Sequence, residues 1–515
     1  MKPGVNGMSL TPKRILGLRG PGFGGLLGFY PTMNEGQEPA EVNRRDFLKN
    51  TSAAAFMAMM GGVELTAPRA AADGDVPLTK KKPVPAVRLG VIGAGGWGRK
   101  IITNLGLLKN TDVYQDATVT AVCDSYPSAL RRAVAAAPGA VGFEDYKKLL
   151  AAPEVDAVVV ATPTHLHRDI VIDALQAGKH VYCEMPLAGS IDDTRAVARA
   201  AQAAFKQFFQ AGLVERSSPQ RHFVQGFVRA GAMARNVFVR AQSHQKNSWR
   251  KTDSNADRAK ALNWRLDAAT STGLMGEACI NLLDSVPWYL GGSKRGGRPN
   301  AVTGFSSTIL WNDGRSVPDT AQCVFEFPEG PNAGVRFVCD ATLCNHFESE
   351  YELYCGSDAA ILVQPGNERR ESQAWMFKEA DAAMLGWEPY AIHSGFGAEV
   401  GISLRMNASK QAAQEVKKTV GDVPPEIEPL QYSLQSFVAN CANLQAAVKA
   451  WAEDFPTTDT PEFRANLAGV RKYNIDQYPA AGWEEGLEAT VLAIKANEAA
   501  VGHKRIELPK ELFEL

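Results

Sequence analysis

Residues 87–98 read VRLGVIGAGGWG, an apolar run that leads into three glycines in the spacing Gly93-x-Gly95-x-x-Gly98. Apolar residues at positions 101, 102 and 105 follow with the spacing of a helix. A buried strand, a glycine turn and a helix in this order are typical of a dinucleotide-binding unit. The glycines allow a tight turn and a close approach of the backbone to a pyrophosphate, which the helix N-terminus then stabilises.

The next predicted strand, residues 119–123, ends at Asp124, which stands 26 residues after Gly98. A carboxylate at this point can accept a hydrogen bond from the ribose 2′-hydroxyl of NAD. It would repel the 2′-phosphate of NADP, so the sequence favours NAD, with NADP as the alternative. Trp97, inside the turn, is predicted to contact the cofactor as well. The competing interpretation is a glycine-rich turn in some other α/β protein.

Strands and helices continue to alternate after Asp124. Residues 155–162 and 180–183 read as buried strands, and residues 166–177 between them read as a helix. This alternation predicts an α/β fold with a doubly wound parallel sheet that binds ligands at the carboxyl ends of its strands. The predicted cofactor contacts at those ends are Thr162, Pro163, His167, Glu184 and Pro186. His167 is expected to bond backbone beside the nicotinamide rather than to act in catalysis.

Beyond residue 300 the pattern changes to antiparallel strands, predicted at residues 302–310, 320–327, 335–342 and 350–355. Helical spacing returns over residues 427–515. The predicted division is a signal peptide at 1–72, a linker at 73–86, a nucleotide domain at 87–208, and a substrate and oligomerisation domain at 209–515 that ends in the helical segment 427–515.

The first 72 residues carry an export pattern. Arg44 and Arg45 are followed by Phe-Leu-Lys, by a weakly apolar run at 53–63 and by small residues at 70–72. This order is typical of a twin-arginine signal peptide, and the apolar run is too short for a permanent membrane span. The prediction is a periplasmic or otherwise exported protein that engages the twin-arginine translocation machinery. An ordinary amphipathic N-terminal helix is the alternative.

Composition excludes several classes of protein. Hydrophobic residues make up 45% of the 515 residues and charged residues 22%, which excludes general disorder, collagen and a many-helix membrane protein. The formal charge of −1 gives no support for nucleic acid as a partner. The eight cysteines form no C-x-x-C pair and are interpreted as small core residues, and no metal site is predicted.

From residue 87 onward the chain resembles the Gfo/Idh/MocA family of oxidoreductases, which includes glucose–fructose oxidoreductase and inositol dehydrogenase. The matching segments are the glycine turn with Asp124, Ala161-Thr162-Pro163-x-x-x-His167, residues 177–181, Glu184-x-Pro186, and residues 263–267, 276–288 and 493–498. The resemblance implies a Rossmann domain followed by an α/β domain, whose large, open, mostly antiparallel sheet faces the nicotinamide. It also implies a carbohydrate substrate and a homo-oligomer.

Three positions depart from the family pattern. Most members read Glu-Lys-Pro where this chain has Glu184-Met185-Pro186. The lysine of those members helps to manage the substrate proton, and Met185 stands in its place. Members also carry Asp-x-x-x-His on a helix of the second domain, where this chain has Glu277 and Asn281. Methionine does not titrate and asparagine is not a base, so Glu277 becomes the candidate proton-handling group, with His167 and His244 as other candidates, and Asn281 a candidate ligand of a hydroxyl. Glu277 is equally interpreted as a hydrogen-bonding or structural carboxylate.

A second set of residues in the C-terminal half suits a polyol, because aromatic rings stack on sugar faces and polar groups bond hydroxyls. The predicted substrate contacts are His244, Trp249, Arg250, Trp264 and Asp284. Three functions remain open: an exported NAD(P)-dependent oxidoreductase with tightly held cofactor, a cofactor-assisted glycosidase or lyase that works through a keto-sugar, and a binding protein that has lost turnover. The alternative interpretation of this set is a solvated loop with packed tryptophans and no role in binding.

Overall fold

The computed structural model describes residues 86–108, 117–292, 296–366, 372–383, 393–396, 399–404, 428–455, 457 and 459–515. The predicted signal peptide at 1–72 and the predicted linker, except its last residue, lie outside the described residues.

The N-terminal half of the described chain forms a parallel sheet of six strands. The strands are β1 Val87–Ile92, β2 Ala117–Cys123, β3 Val141–Phe143, β4 Ala157–Val160, β5 His180–Cys183 and β6 Phe209–Ala211. They pair in the order β3-β2-β1-β4-β5-β6, so the strand order reverses between β1 and β4. The intervening helices are α1 Gly96–Leu107, α2 Pro127–Ala136, α3 Tyr146–Leu150, α4 His167–Gln176 and α5 Ile191–Ala203. This is the predicted doubly wound Rossmann sheet, whose ligand crevice lies where the order reverses.

Continuous apolar runs make these strands, because helices cover both faces of a parallel sheet. All four residues of β4 are fully buried, and their side chains divide between two hydrophobic clusters. One cluster contains Val158 and Val160, and the other contains Val159. The alternation is the one expected when successive side chains point to opposite faces of a strand.

The second domain is built on a sheet of ten strands. They are β7 Asn236–His244, β8 Ala301–Ser307, β9 Thr320–Glu326, β10 Arg336–Thr342, β11 Glu350–Gly356, β12 Ala359–Gln364, β13 Gln373–Lys378, β14 His393–Phe396, β15 Glu399–Ser403 and β16 Arg505–Glu507. The order is β14-β15-β13-β12-β11-β7-β10-β9-β8-β16. Only β7 and β10 pair in parallel among these described strands. The predicted open, mostly antiparallel sheet is confirmed.

Six further helices complete the described chain. They are α6 Pro219–Arg229, α7 Ala256–Leu262, α8 Gly273–Tyr289, α9 Pro429–Asp454, α10 Pro461–Gln477 and α11 Trp483–Gly502. Helices α8 and α11 pack against each other and against the large sheet. Helix α8 is apolar on almost every side and lies in the core, which explains why it has fourteen buried residues.

The structure differs from the predicted domain division at two points. A boundary between residues 208 and 209 falls just before β6, which pairs with β5 and belongs to the Rossmann sheet. Helix α9 packs on that sheet as well, since Leu430 and Phe437 share a hydrophobic cluster with Val87 and Leu89. Part of the predicted C-terminal helical segment therefore completes the nucleotide domain.

Strand β8, which was predicted to extend to residue 310, ends earlier, at Ser307. The Asp319 carboxylate accepts hydrogen bonds from the backbone N–H groups of Ile309, Leu310 and Trp311, each at 2.8 Å. These bonds turn the chain out of the sheet, and apolar residues alone do not reveal them. No helix in the described part of the chain is long and apolar enough to cross a membrane. All eight cysteines are free thiols, six of them buried.

Candidate active site

The three glycines of the first turn differ in what the lack of a side chain allows at each position. Gly93 adopts a φ of +93°, a conformation that side chains disfavour. A Cβ on Gly98 would lie 1.9 Å from the Gly93 carbonyl oxygen, so α1 can pack on β1 only without that side chain. A Cβ on Gly95 would meet nothing within 4 Å. The open space at Gly95 is where a bound pyrophosphate approaches the backbone in this kind of turn.

Asp124 stands at the end of β2 and faces the turn. Its Oδ2 accepts a hydrogen bond from the Ala94 N–H at 3.0 Å, and its Oδ1 accepts one from the Tyr126 N–H at 2.8 Å. Each carboxylate oxygen keeps a lone pair for a further donor. A cleft of about 660 Å³ opens beside Asp124 and is lined by the glycine turn, Trp97 and Thr162. These features fit a dinucleotide: a turn without side chains for the pyrophosphate and an acid for the ribose.

The ends of β4 and β5 are joined through His167. Its Nε2 lies 2.8 Å from the Thr162 carbonyl oxygen and its Nδ1 lies 2.9 Å from the Pro186 carbonyl oxygen. The ring is buried, and burial lowers the pKa of His167 to about 4. A neutral imidazole carries one N–H, so the ring donates to one of these two carbonyl oxygens and lies between the two strand ends. The prediction that it bonds backbone agrees with this arrangement.

Glu184 follows β5 directly and is hydrogen-bonded to Trp97, which lines the cleft. Burial raises the pKa of Glu184 to about 7, and hydrogen bonds from the Trp97 indole and the Met185 N–H, together with the Arg265 charge, limit the rise. Its Oε1 is buried and has no hydrogen-bond partner among the described residues. Glu184 therefore combines a pKa near neutrality with a buried oxygen that has no partner among the described residues.

Glu277, at the start of α8, is fully engaged. Its Oε1 accepts from the Thr272 hydroxyl at 2.9 Å and from the Thr164 hydroxyl at 3.3 Å. Its Oε2 accepts from the Arg265 Nε at 3.2 Å. Burial raises the pKa of Glu277, and the Arg265 charge opposes that rise. Four donors including the Thr272 N–H leave Glu277 suited to positioning Arg265.

Arg265 acts electrostatically on the two carboxyls Glu184 and Glu277. Its charge lowers the pKa of both Glu184 and Glu277 against the effect of their burial. The guanidinium lies 4.3 Å from the centre of the Trp264 ring and borders the cleft. Two buried carboxyls, bonded differently, thus lie near one arginine that borders the cleft.

The two other departures from the family pattern have no group that can take a proton. Met185 is partly buried and packs against the main hydrophobic cluster. Asn281 lies one helical turn after Glu277, and its Oδ1 is buried without a hydrogen-bond partner in the described chain. An orphaned amide oxygen of this kind is suited to accept from a ligand hydroxyl.

Three of the five predicted substrate contacts are committed to other partners. The His244 Nε2 lies 2.5 Å from the Asp340 Oδ2 on the neighbouring strand. The Asp284 carboxylate takes two hydrogen bonds from Arg216, at 2.6 and 2.7 Å, and is buried. Trp249 packs against the main hydrophobic cluster. None of these three side chains lines the dinucleotide cleft or the pocket beside Trp264, and their role as sugar contacts stays a prediction.

The other two predicted contacts, Trp264 and Arg250, border open space. Trp264 lines the dinucleotide cleft and also a second pocket of about 630 Å³, which Arg250 lines on the far side. Arg250 is exposed and donates to the Asp313 carboxylate at 2.9 Å. Trp264 is mostly buried, with the His165 ring centre 6.1 Å from its own.

Sequence reasoning did not identify Thr164, Thr272 or Arg258 as parts of the site. Thr164 and Glu277 are 113 residues apart in sequence, so no local pattern connects them. Arg258 stands in a charged helical stretch that reads as a solvated surface. The structure places it in the lining of the dinucleotide cleft.

Curated relatives match part of the chain. An inositol 2-dehydrogenase of Rubrobacter xylanophilus is 32% identical over 206 residues, which are 40% of this chain and 52% of that protein. A glycosyl hydrolase family 109 protein of Shewanella sp. (strain ANA-3) is 34% identical over 166 residues, 29% of this chain and 35% of that protein. The chain spans about half the length of the inositol 2-dehydrogenases it matches.

Solved structures share the fold over most of the chain. A levoglucosan dehydrogenase in complex with NADH and levoglucosan superposes with a TM-score of 0.57 at 16% identity, covering 83% of this chain and 100% of that one. A myo-inositol dehydrogenase from Lactobacillus casei in complex with NAD(H) and myo-inositol has a TM-score of 0.51 at 16% identity, covering 82% and 97%. At this identity the likeness shows the fold alone.

Family models match both domains. Residues 87–212 match the model described as oxidoreductase family, NAD-binding Rossmann fold, and residues 223–360 match the GFO/IDH/MocA C-terminal domain. Together the two models cover just over half of the chain. The predicted NAD cofactor and fold are thereby confirmed. The chain belongs to the Gfo/Idh/MocA family of oxidoreductases, with an NAD-binding Rossmann domain at residues 87–212.

Proposed function

We propose that this chain is an exported, NAD-dependent oxidoreductase that acts on a sugar, polyol or glycoside and keeps its cofactor bound between half-reactions. One observation carries the proposal. Glu184 lies at the end of β5 beside the cleft, with a pKa of about 7 and an unpartnered Oε1. An acid–base group works best when its pKa lies near the operating pH, and this one needs no family lysine or histidine to do so.

The bound cofactor supplies hydride acceptance, and the chain must then manage the proton of the substrate hydroxyl. Glu184 takes that proton through Oε1 in its ionised form and returns it in the reverse direction. The Trp97 indole holds the same carboxyl by a hydrogen bond and so fixes its orientation at the cleft. Asn281 accepts a hydrogen bond from a neighbouring substrate hydroxyl through its orphaned Oδ1.

Glu277 is assigned a positioning role in place of the predicted catalytic one. Its carboxylate holds Arg265 at 3.2 Å and is itself held by two threonines. Arg265 then keeps a positive charge near Glu184, which favours the ionised form of that carboxyl. The pair therefore tunes Glu184 without touching the reacting atoms.

The substrate class rests on the relatives, whose names include inositol 2-dehydrogenase and levoglucosan dehydrogenase. The pocket beside Trp264 is also polar enough for a polyol, since Arg250, Asp267 and Asn263 line it. Export rests on the twin-arginine pattern at Arg44 and Arg45. A protein that leaves the cytoplasm folded can carry NAD with it, and outside the cytoplasm retention of that NAD is needed for repeated turnover.

The test begins with the chain purified from the exported fraction. It is denatured and any released nucleotide is identified. Intact protein is then offered inositols, anhydrosugars and aldoses while the redox state of the bound nicotinamide is followed. We expect co-purified NAD(H) and its reduction by at least one polyol. Glu184→Gln should retain the nucleotide and slow reduction by about 10²–10⁴-fold. Nucleotide-free protein that takes up no NAD, or a Glu184→Gln variant as fast as the wild type, would contradict the proposal.

A cofactor-assisted glycosidase or lyase is the second candidate, favoured by the glycosyl hydrolase family 109 relatives at 34% identity. In that reaction, transient oxidation of one ring hydroxyl acidifies the neighbouring C–H bond and lets the glycosidic oxygen leave. Product analysis distinguishes the two candidates. A glycosidase releases free alcohol from a glycoside with no net change in the nucleotide, whereas a dehydrogenase leaves one reduced nucleotide for each sugar oxidised.

A further inference from the structure

The segment of residues 251–263, here called the clamp segment, leaves the second domain and returns to the same point. The Asn263 side chain closes its base: its Oδ1 accepts from the Lys251 N–H and its Nδ2 donates to the Lys251 carbonyl oxygen, both at 2.8 Å. A loop whose two ends are bonded in this way has a fixed exit and return. The segment is therefore a defined structural unit.

Helix α7 lies in the middle of the clamp segment and has an ordered start. The Asn255 side chain caps it by accepting from the Arg258 N–H at 2.9 Å, and the Asp253 carboxylate accepts from the Asn255 N–H at 2.9 Å. None of the seven residues of α7 is buried in the structure. A short helix without a fully buried residue gains little stability from packing, and this one borders an open cleft.

Arg258 is the side chain of α7 that reaches the Rossmann domain. Its guanidinium carbon lies 3.8 Å from the centre of the Tyr126 ring, two residues after Asp124. Arg258 lines the same cleft as Asp124 and the glycine turn. Its Nε is buried and has no hydrogen-bond partner within the described chain. A buried donor that remains unpaired at the wall of a cleft indicates a partner that enters the cleft.

The charges lining the cleft are divided between the two domains. The Rossmann side contributes Asp124, Glu144, Asp145 and Asp169, and the second domain contributes Lys251, Arg258 and Arg265. Arg265 is paired with Glu277 and lies outside the clamp segment, so the segment contributes Lys251 and Arg258 to the lining of this cleft. A pyridine dinucleotide carries its negative charge on the diphosphate, and cations across from the glycine turn complement that charge.

We propose that the clamp segment binds the adenosine diphosphate half of NAD, with Arg258 as its principal contact. The Tyr126 ring holds the guanidinium in place, and the guanidinium donates to the ribose and diphosphate oxygens that lie above the glycine turn. The second domain thereby closes the cleft over the cofactor and slows its release. This inference rests on the proposed function, because it explains how NAD stays bound after export.

The test measures how fast bound NADH leaves the full-length holoprotein after a chase with excess NAD. Arg258→Ala should raise the release rate about 10- to 100-fold, the loss expected for one charge-assisted contact. Arg258→Lys keeps the charge without the planar stack and should fall between that variant and the wild type. Arg132→Ala, which removes an exposed arginine of α2 on the same Rossmann domain, is the matched control and should release NADH like the wild type.

Two partial ligands locate the effect. The Kd of ADP should rise in Arg258→Ala by the same factor as the Kd of NADH, whereas the Kd of nicotinamide mononucleotide should equal that of the wild type. The unfolding midpoint should not change, since α7 buries no side chain. Equal release from wild type and Arg258→Ala, or an equal loss for both partial ligands, would overturn the clamp alone. A wild-type chain that binds no NADH would instead overturn the proposed function and the clamp together.

Discussion

The Thr164 hydroxyl of the Rossmann domain donates a hydrogen bond to the Glu277 carboxylate of α8, at 3.3 Å. The same carboxylate holds Arg265, so a residue just beyond β4 and the second domain are joined through one buried acid. The bond gives Glu277 a structural reason to be a carboxylate that is independent of proton transfer.

If Glu277 acts by positioning Arg265, the two residues should behave as one unit. Glu277→Gln and Arg265→Ala should each reduce the rate of nicotinamide reduction by a similar factor, and the double variant should lose no more than either single one, because contacting residues are not additive. Single-turnover rates on the nucleotide-loaded protein measure this. A Glu277→Gln loss far above that of Arg265→Ala, additive in the double variant, would restore Glu277 as the base.

The glycines of the turn should separate stability from cofactor binding. Gly98→Ala forces a methyl group to within 1.9 Å of the Gly93 carbonyl oxygen, and it should lower the free energy of unfolding by about 1–3 kcal/mol. Gly95→Ala adds a methyl group where nothing lies within 4 Å, and the loss of a preferred cap residue and the stiffer unfolded chain oppose each other, so stability should change by less than about 1 kcal/mol while NADH affinity falls. Urea unfolding and NADH titration of both variants check this. Comparable unfolding curves for the two would contradict it.

The pKa of Glu184 predicts a pH-dependent stability. Its usual value of 4.5 applies to the unfolded chain and about 7 to the folded one, so the folded state binds the proton more tightly. The resulting stabilisation is complete below about pH 4.5 and is lost as the pH rises through 7. Glu184→Gln cannot ionise and should lack this loss, gaining roughly 3 kcal/mol on the wild type between pH 5 and 8. Urea unfolding at the two pH values measures the difference. An equal difference in free energy of unfolding between variant and wild type at pH 5 and pH 8 would show that folding does not change the pKa of Glu184.

Much of the Rossmann domain could be predicted because its signals are local. The strand, glycine turn and helix of residues 87–107 follow one another directly, and Asp124 closes the next strand. β6 was assigned to the wrong side of the boundary, since three residues give no periodicity and only pairing with β5 defines the strand. The fold class depends on patterns of ten or more residues, and those were sufficient.

The site was harder to predict because its contacts join distant residues. His244 was predicted to bind a sugar, but in the structure its Nε2 lies next to the carboxylate of Asp340, 96 residues later. Asp284 likewise has the spacing of a site residue, but Arg216 uses both of its oxygens. Whether a polar side chain serves a ligand or another residue depends on tertiary neighbours, which composition and spacing do not define.

The buried cluster of Arg221, Glu215 and Glu352 predicts the largest stability effect outside the cleft. Arg221 donates to Glu215 at 2.6 Å and to both oxygens of Glu352 at 2.8 and 3.0 Å, and its side chain is only 1% exposed. Arg221→Met would leave two buried carboxyls without a cation, which should lower the free energy of unfolding by about 3–5 kcal/mol. Glu352→Gln leaves Arg221 paired with Glu215 and should cost much less.

The pH dependence of these two variants follows from the same charges. Burial already raises the pKa of Glu352 in the wild type, and loss of the arginine should raise it further. The folded Arg221→Met protein then binds protons more tightly than its unfolded chain, so its deficit should grow as the pH rises from 5 to 8. Glu352→Gln removes the group whose pKa is raised, so its deficit should shrink as the pH rises over the same range. Urea unfolding at both pH values decides the matter, and an Arg221→Met deficit that shrinks with rising pH would mean that these carboxyls are stabilised by something other than Arg221.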